Sequence, residues 1–232
     1  MFQFSDPSLE PNVVLSFGRP GSGKTSFCFR YLVNSAKLQP LNQNPTACTF
    51  IFDWKLEAQR RLGIPAVTTE AGLERSLASR WSVFNPHAMF PGSTYIKNPE
   101  GEKVVNDERM AFRWWLKWVF EVCQRGPGRK LVYIDELKQL ASKFWMPPEL
   151  SRIVRMGRSE NIGLVTSTQF PRDYHPDIRG AVTEWVCFSC TEKAELDAVR
   201  DYFPGVDIAA SLPKLHFVAF NRDSRATLQG RL

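Results

Sequence analysis

Gly18-Arg19-Pro20-Gly21-Ser22-Gly23-Lys24-Thr25 matches the G-x-x-x-x-G-K-[ST] phosphate-binding loop, and its flanks are the ones such a loop needs. Upstream, Val13-Val14-Leu15-Ser16-Phe17 is a short apolar run rich in β-formers. Downstream, Thr25 to Asn34 carries Phe27, Tyr31 and Leu32 at helical spacing, so the context is strand, loop, helix. The glycines let successive backbone N–H groups curl around an anion with no Cβ in the way, and the helix N-terminus adds partial positive charge. Lys24 is placed to reach the β- and γ-phosphates of a nucleotide and the Thr25 hydroxyl to ligate Mg²⁺, with Ser26 completing the binding segment. The stretch encodes a nucleoside-triphosphate site.

Outward from the loop, 232 residues suggest a single domain spanning the whole chain, with room for a modest insertion and a substantial core. Hydrophobic residues make up 43% and charged ones 23%, an ordinary soluble composition. No apolar run approaches the ~18 residues a membrane span needs, and the N-terminus has no signal-peptide pattern. A net charge of +6 permits a nucleic-acid partner without requiring one. The five cysteines are odd in number and scattered, and the single C-x-x-C (Cys187, Cys190) has no second pair. They read as buried thiols, with neither zinc nor disulfides expected.

Apolar, β-prone runs alternate with helical patterns, the rhythm of an α/β domain with a parallel sheet. Strands are expected at Val13–Phe17, Ala47–Phe52, Arg80–Phe84, Lys130–Ile134, Gly163–Ser167, Glu184–Ser189 and Leu215–Phe220. Helices are expected at Lys24–Ala36, Trp54–Leu62, Glu70–Ser79, Asp107–Gln124, Pro148–Arg158 and Glu192–Phe203. Residues 211–232 read as a terminal hairpin turning at Asn221-Arg222-Asp223-Ser224. Residues 85–106 concentrate turn signals (Asn85-Pro86, Pro91-Gly92, Asn98-Pro99-Glu100-Gly101) and read as a surface insertion, with a small hairpin of Thr94–Lys97 against Lys103–Asn106. In the aromatic helix Met110–Phe120, Arg113 and Lys117 mark one wet face, and the aromatics read as core or, alternatively, as a partner surface.

Lys130-Leu131-Val132-Tyr133-Ile134-Asp135-Glu136 is the second signature. An apolar strand delivers Asp135 to hold Mg²⁺, and Glu136 next to it suits a general base polarising water. A helix-capping role is the plainer alternative for the carboxylate. Two candidate strands lie between the loop and Asp135, which points to ATPases with an additional strand and a catalytic Glu. Asp135-Glu136-Leu137-Lys138 lacks the glycine of a GTPase D-x-x-G, and no N-K-x-D occurs. Gln169 ends another strand at the same edge, where it either contacts the γ-phosphate and its water or serves as a cap. Arg152, Arg155 and Arg158 fall at three-residue steps on a helix, either as a solvated stripe or as a source of an arginine finger for a neighbouring subunit.

With these elements in order, the chain resembles the FtsK–HerA superfamily of ring-forming, DNA-pumping P-loop ATPases. Phe50-Ile51-Phe52-Asp53-Trp54-Lys55-Leu56-Glu57 looks like the second-strand D-x-K-x-x-E pattern of FtsK-type motors, and Arg155 through Gln169 is similar to their helix–strand stretch ending in Thr-Gln. His175-Pro176-Asp177-Ile178-Arg179 and Trp185–Ser189 continue the order, so the likeness runs from about Val13 to about Phe203. A bare motor domain of this size, with a mid-chain insertion, is similar to the genome-packaging ATPases of tailless double-stranded-DNA viruses with an internal membrane. The resemblance implies a RecA-like α/β fold of the additional-strand, catalytic-Glu type, with ATP and Mg²⁺ as cofactors. It assigns phosphate and metal roles to Lys24 and Thr25, Mg²⁺ to Asp135, the base to Glu136 and the sensor to Gln169. For a trans-acting arginine it favours Arg158 or Arg155, with Arg152 and Arg179 behind them. It implies a ring, with six as the implied number of subunits, threading duplex DNA and meeting capsid vertex or portal proteins in the virion and host cytoplasm. Loops 138–147 and 170–179 would face the channel, with Lys138, Lys143 and Arg172 on the DNA backbone. Related alternatives are single-stranded phage extrusion and conjugative transfer, and a nucleotide-gated interaction switch is the alternative from another class.

Overall fold

The computed structural model describes residues 12–38, 48–92, 95–97, 103–105, 107–126 and 128–232. In chain order the elements are β1 (Val13–Phe17), α1 (Lys24–Leu38), β2 (Thr49–Phe52), α2 (Glu57–Leu62), α3 (Glu70–Ser76) and β3 (Trp81–Phe84). Next come β4 (Tyr95–Lys97), β5 (Lys103–Val105), α4 (Glu108–Cys123), β6 (Lys130–Asp135), α5 (Pro148–Met156) and β7 (Ile162–Thr168). The last are α6 (Pro176–Ala181), β8 (Glu184–Phe188), α7 (Lys193–Asp197), β9 (His216–Asn221) and β10 (Ala226–Arg231).

Eight strands form one sheet in the order β10-β9-β8-β1-β7-β6-β2-β3. Every pairing from β8 to β3 is parallel, while β9 and β10 extend the β8 side antiparallel. The parallel strands are buried on both faces, which explains their near-continuous apolar runs. In β1, Leu15 and Phe17 enter one core while Val14 enters the other, as a period of two requires. α1 covers the second face with Phe27, Cys28, Phe29 and Leu32. The aromatic helix α4 covers the first with Phe112, Trp115, Leu116, Val119 and Phe120. Its aromatics are therefore core, each contributing roughly 1.5–3 kcal/mol through burial.

One strand does separate the two motif strands in space. It is β7, later in sequence than both, whereas the candidates preceding Asp135 in sequence lie beyond it at the sheet edge as β2 and β3. The terminal hairpin is part of the main sheet, β9 pairing with β8 from Glu184↔Asn221 to Phe188↔Phe217. The insertion hairpin forms with Tyr95 opposite Val105, as a separate two-stranded sheet. Residues 93–94, 98–102 and 106, and Ala47 of the expected second strand, lie outside the described residues.

Four expectations need correction. Helix α2 begins at Glu57 rather than Trp54, because Leu56 is left-handed (φ 57°) and Asp53 accepts the first-turn N–H groups of Glu57, Ala58 and Gln59 at 2.7, 3.0 and 3.3 Å. The helix from Glu192 shrinks to α7, since the chain turns after Asp197 and enters a 3₁₀ turn (Val206–Ser211) through left-handed Gly205. Residues 176–181, expected as loop, form α6, opened by Pro176 at its first helical position. Arg113 is not simply wet: it is paired with Glu149 of α5 at 3.0 Å, both side chains largely covered.

Candidate nucleotide site

The phosphate loop leaves β1 at Gly18, whose φ of +138° turns it hard against the end of β8. A Cβ there would lie 3.0 Å from the Phe188 Cβ and 3.2 Å from its carbonyl carbon, so glycine is required by backbone and space together. Arg19 N–H then bonds the Ser189 carbonyl at 3.0 Å. At Gly23 (φ +114°) a methyl would fall 3.2 Å from the Phe188 ring and 3.3 Å from Leu215, and would strike Leu232. The loop is thus braced by β8 and the terminal hairpin. α1 carries no acidic residue in its first turn, which leaves its N-terminal partial charge for an external anion.

Lys24 is 8% exposed and donates to the Gly18 and Arg19 carbonyls at 2.9 and 2.7 Å. Burial pulls its ammonium below lysine's ordinary value, against the opposing pull of Asp135 and Glu136. Among the described residues the buried Ser22 hydroxyl finds no partner, an orphaned donor inside the loop.

The buried strand β6 delivers the acid pair. Ser167 Oγ, on neighbouring β7, donates to Asp135, and the Tyr174 hydroxyl secures the Ser167 carbonyl at 2.8 Å. Glu136 is left-handed (φ 49°, ψ 49°) at the head of a 3₁₀ turn (Leu137–Gln139), and its side chain makes no capping hydrogen bond there. A non-glycine residue there costs on the order of 1–2 kcal/mol, and such strain gathers at functional sites. The conformation presents both carboxylate oxygens to neighbours. Lys55 Nζ meets Oε2 in a short ion pair, and Gln169 Nε2 donates to Oε1 at 3.1 Å. Burial alone would raise the Glu136 carboxyl, but the hydrogen bond and charge of Lys55, then Gln169 and Lys138, hold it below its ordinary value. Lys55 also stands 3.7 Å from Asp135.

Lys24, Asp135, Glu136 and Gln169 are therefore gathered at the C-terminal edges of β1, β6 and β7. A small cavity lies against the outer side of the loop, lined by Gly18, Arg19, Pro20, Gln169, Phe170, Cys190 and Glu192. All five cysteines are buried. The Cys190 thiol sits at about 7, lowered by its hydrogen bond with Cys187 despite burial.

The arginines lie elsewhere. Arg158 is off the helix, in the turn between α5 and β7, because α5 stops at Met156. It is an exposed residue at the far end of β7 from Gln169, and seven strand residues at about 3.3 Å each put roughly 23 Å between the ends. Arg155 pairs with Asp177 of α6 at 2.6 Å, and the Arg152 guanidinium lies 3.9 Å from the centre of the Phe120 ring. Arg179 donates to the Ala198 carbonyl at 3.2 Å. All three arginines of the series are exposed, Arg152 and Arg155 on α5 and Arg158 in the turn beyond it.

Two of the three candidate DNA contacts are engaged within the chain. Arg172 bonds the buried Glu195 carboxylate at 2.8 Å, and Lys138 lies 3.7 Å from Asp173 and 3.9 Å from the Phe170 ring centre. Lys143 projects from a tight turn closed by Ser142 N–H to the Trp145 carbonyl at 2.7 Å. Beside it Phe144 is 89% exposed. Sequence reasoning gave no role to Lys55, Ser167, Phe144 or Arg61, which bonds the Ser26 hydroxyl at 3.1 Å. The Lys55 contact had a signal in the D-x-K-x-x-E spacing, and the others had none.

No protein-family model matches the chain, and no curated protein sequence does. Solved structures do match. The genome packaging NTPase B204 from Sulfolobus turreted icosahedral virus 2, in complex with ATP-γS, superimposes with a TM-score of 0.72 over 98% of each chain at 17% identity. B204 of Sulfolobus turreted icosahedral virus, a DNA-packaging ATPase, gives 0.68 over 96% of this chain and 98% of that one at 18% identity. The pCW3 conjugation coupling protein TcpA, with ATPγS, gives 0.60 at 16% identity, over 96% of this chain and 60% of TcpA. The chain shares the fold of these proteins, a RecA-like P-loop NTPase fold, and two of the three structures hold ATP-γS. Among the described residues, no helix is long and apolar enough to cross a membrane.

Proposed function

We propose that this chain is an ATPase that translocates DNA, with packaging of a double-stranded viral genome as its task. One observation carries the reading: Glu136 and Gln169, from β6 and β7, converge beside the phosphate loop of β1, where the terminal phosphate of a bound triphosphate must end. Lys24 and the α1 N-terminus hold the phosphates. Glu136 takes the proton of an attacking water, and Gln169 fixes that carboxylate and reports its position to the following loop. The full-length likeness to two packaging ATPases supports the DNA task. The likeness to TcpA supports a conjugative motor as the second reading.

Mg²⁺ fits the donor set. Thr25 offers a hydroxyl and Asp135 a carboxylate, both hard oxygen ligands, and the described residues contain no cluster of three or more His, Cys, Asp or Glu. A dication would therefore take its other positions from phosphate oxygens and water. When bound, it would neutralise charge on the β- and γ-phosphates.

The active form is a ring, six subunits being the implied number, in which an arginine from one subunit reaches the nucleotide of the next. Arg158 and Arg155 lead for this role, ahead of Arg152 and Arg179. Arg158 stands far from its own phosphate loop, which suits action in trans. The loops following β6 and β7 grip the DNA backbone, with Lys143 and its exposed neighbour Phe144 at one tip. Capsid vertex or portal proteins are the further partners, in the virion and the host cytoplasm. Steady-state ATP hydrolysis with and without duplex DNA tests the reading. Stimulation by duplex is expected, and DNA-indifferent hydrolysis with normal nucleotide binding would reject translocation.

A further inference from the structure

The D-x-K-x-x-E stretch after β2 contains a cation that this mechanism does not use. Its two acids are accounted for structurally: Asp53 holds the first turn of α2, and Glu57 pairs with Arg60 at 3.2 Å and Arg61 at 2.7 Å. Lys55 does neither. β2 and β6 are neighbours with Phe52 opposite Ile134, so Lys55, three residues on, and Glu136, two residues on, leave the same sheet edge side by side. The ammonium occupies one oxygen of Glu136 while Gln169 occupies the other. A carboxylate held in this way is a poor base.

Among the described residues, charged groups from separate elements face Glu136. Lys55 comes from the turn before α2, Lys138 from the 3₁₀ turn after β6, Lys24 from the phosphate loop, and Asp135 is its chain neighbour. Lys138 is shared with Asp173, and Lys24 with the loop carbonyls. Of these cations, Lys55 makes an ion pair with Glu136 while remaining close to Asp135.

We infer that Lys55 is a positioning residue that senses the terminal phosphate: its ammonium rests on Glu136 until that phosphate competes for it, and its departure frees Glu136 to take water's proton. The inference rests on the ATPase reading. A terminal phosphate carries more charge than one carboxylate. Its Coulomb attraction for the ammonium at a comparable distance is correspondingly larger, so the competition is winnable. A diphosphate lacks those oxygens, and Lys55 returns to Glu136. Nucleotide state becomes two positions of one side chain.

The test is Lys55→Met, read by nucleotide competition and steady-state hydrolysis. The preference for ATP over ADP, read by competition against a fluorescent nucleotide, should fall about tenfold, since a charge-assisted hydrogen bond to the terminal phosphate is lost. ADP affinity should stay at the wild-type value, because the inference gives Lys55 no contact with a diphosphate. Lys55→Arg should restore the preference, and Lys55→Gln serves if the methionine variant does not fold. An ATP-over-ADP preference unchanged from wild type in either neutral variant would overturn the inference. If Glu136→Gln hydrolyses ATP at the wild-type rate, Glu136 is not the base and this inference goes with it, whereas wild-type protein that binds ATP without hydrolysing it would reject the ATPase reading itself.

Discussion

The phosphate loop has two unlike flanks. On one side β7, β6 and β2 end in polar and charged groups, Gln169, Asp135, Glu136 and Lys55, linked by hydrogen bonds and ion pairs. On the other, β8, β9 and the hairpin end present Phe188, Phe217, Leu215 and Leu232, packed on the loop and on Phe27 of α1. The first flank holds groups that can exchange partners without repacking. The second is a close-packed wall whose atoms have one arrangement. A loop that must keep its shape while charge is redistributed beside it needs both.

The comparison would break most visibly at Glu136. Glu136→Gln should lower turnover roughly 10²- to 10⁴-fold with ATP affinity little changed. Steady-state hydrolysis and nucleotide titration measure both, and retained turnover would remove chemistry from the charged flank. Phe217→Ala probes the wall. It should cost about 3–5 kcal/mol in urea unfolding while the folded fraction still hydrolyses ATP. A variant that kept its stability but lost hydrolysis would reverse the assignment of the flanks.

Arg172→Ala should cost about 1 kcal/mol, because the guanidinium is half exposed although its partner Glu195 is buried. Burial already raises the Glu195 carboxyl despite Arg172, and removing the cation raises it further. A raised carboxylate favours the folded state as pH falls, so the variant's deficit should be larger at pH 7 than at pH 4. Equal deficits at both would show that Arg172 and Glu195 are not coupled. The smallest effect belongs to Lys143→Ala, which should reduce the salt slope of duplex binding by about one without altering DNA-free hydrolysis. An unchanged slope would exclude that turn from the grip.

The charged flank was largely legible in the sequence and the wall was not. Lys24, Thr25, Asp135 and Glu136 announce themselves because phosphate chemistry fixes residue type and spacing locally. The residues bracing Gly18 and Gly23 come from positions 188, 215 and 232, and no local signal states that a terminal hairpin pairs with β8. The strand between the two motif strands was foreseen, but its identity depends on nonlocal pairing. Helix lengths failed where a polar side chain or a left-handed residue intervened, at Asp53 with Leu56 and at Gly205. The ion pairs of Arg172 with Glu195 and of Lys138 with Asp173 had no local signal, because those partners are set by folding.

The left-handed backbone at Glu136 has one more consequence. Glycine at that position would relax the turn by about 1 kcal/mol, and it would also abolish the proton acceptor. A glycine chosen there for stability alone would thus leave a firmer fold without its proposed proton acceptor.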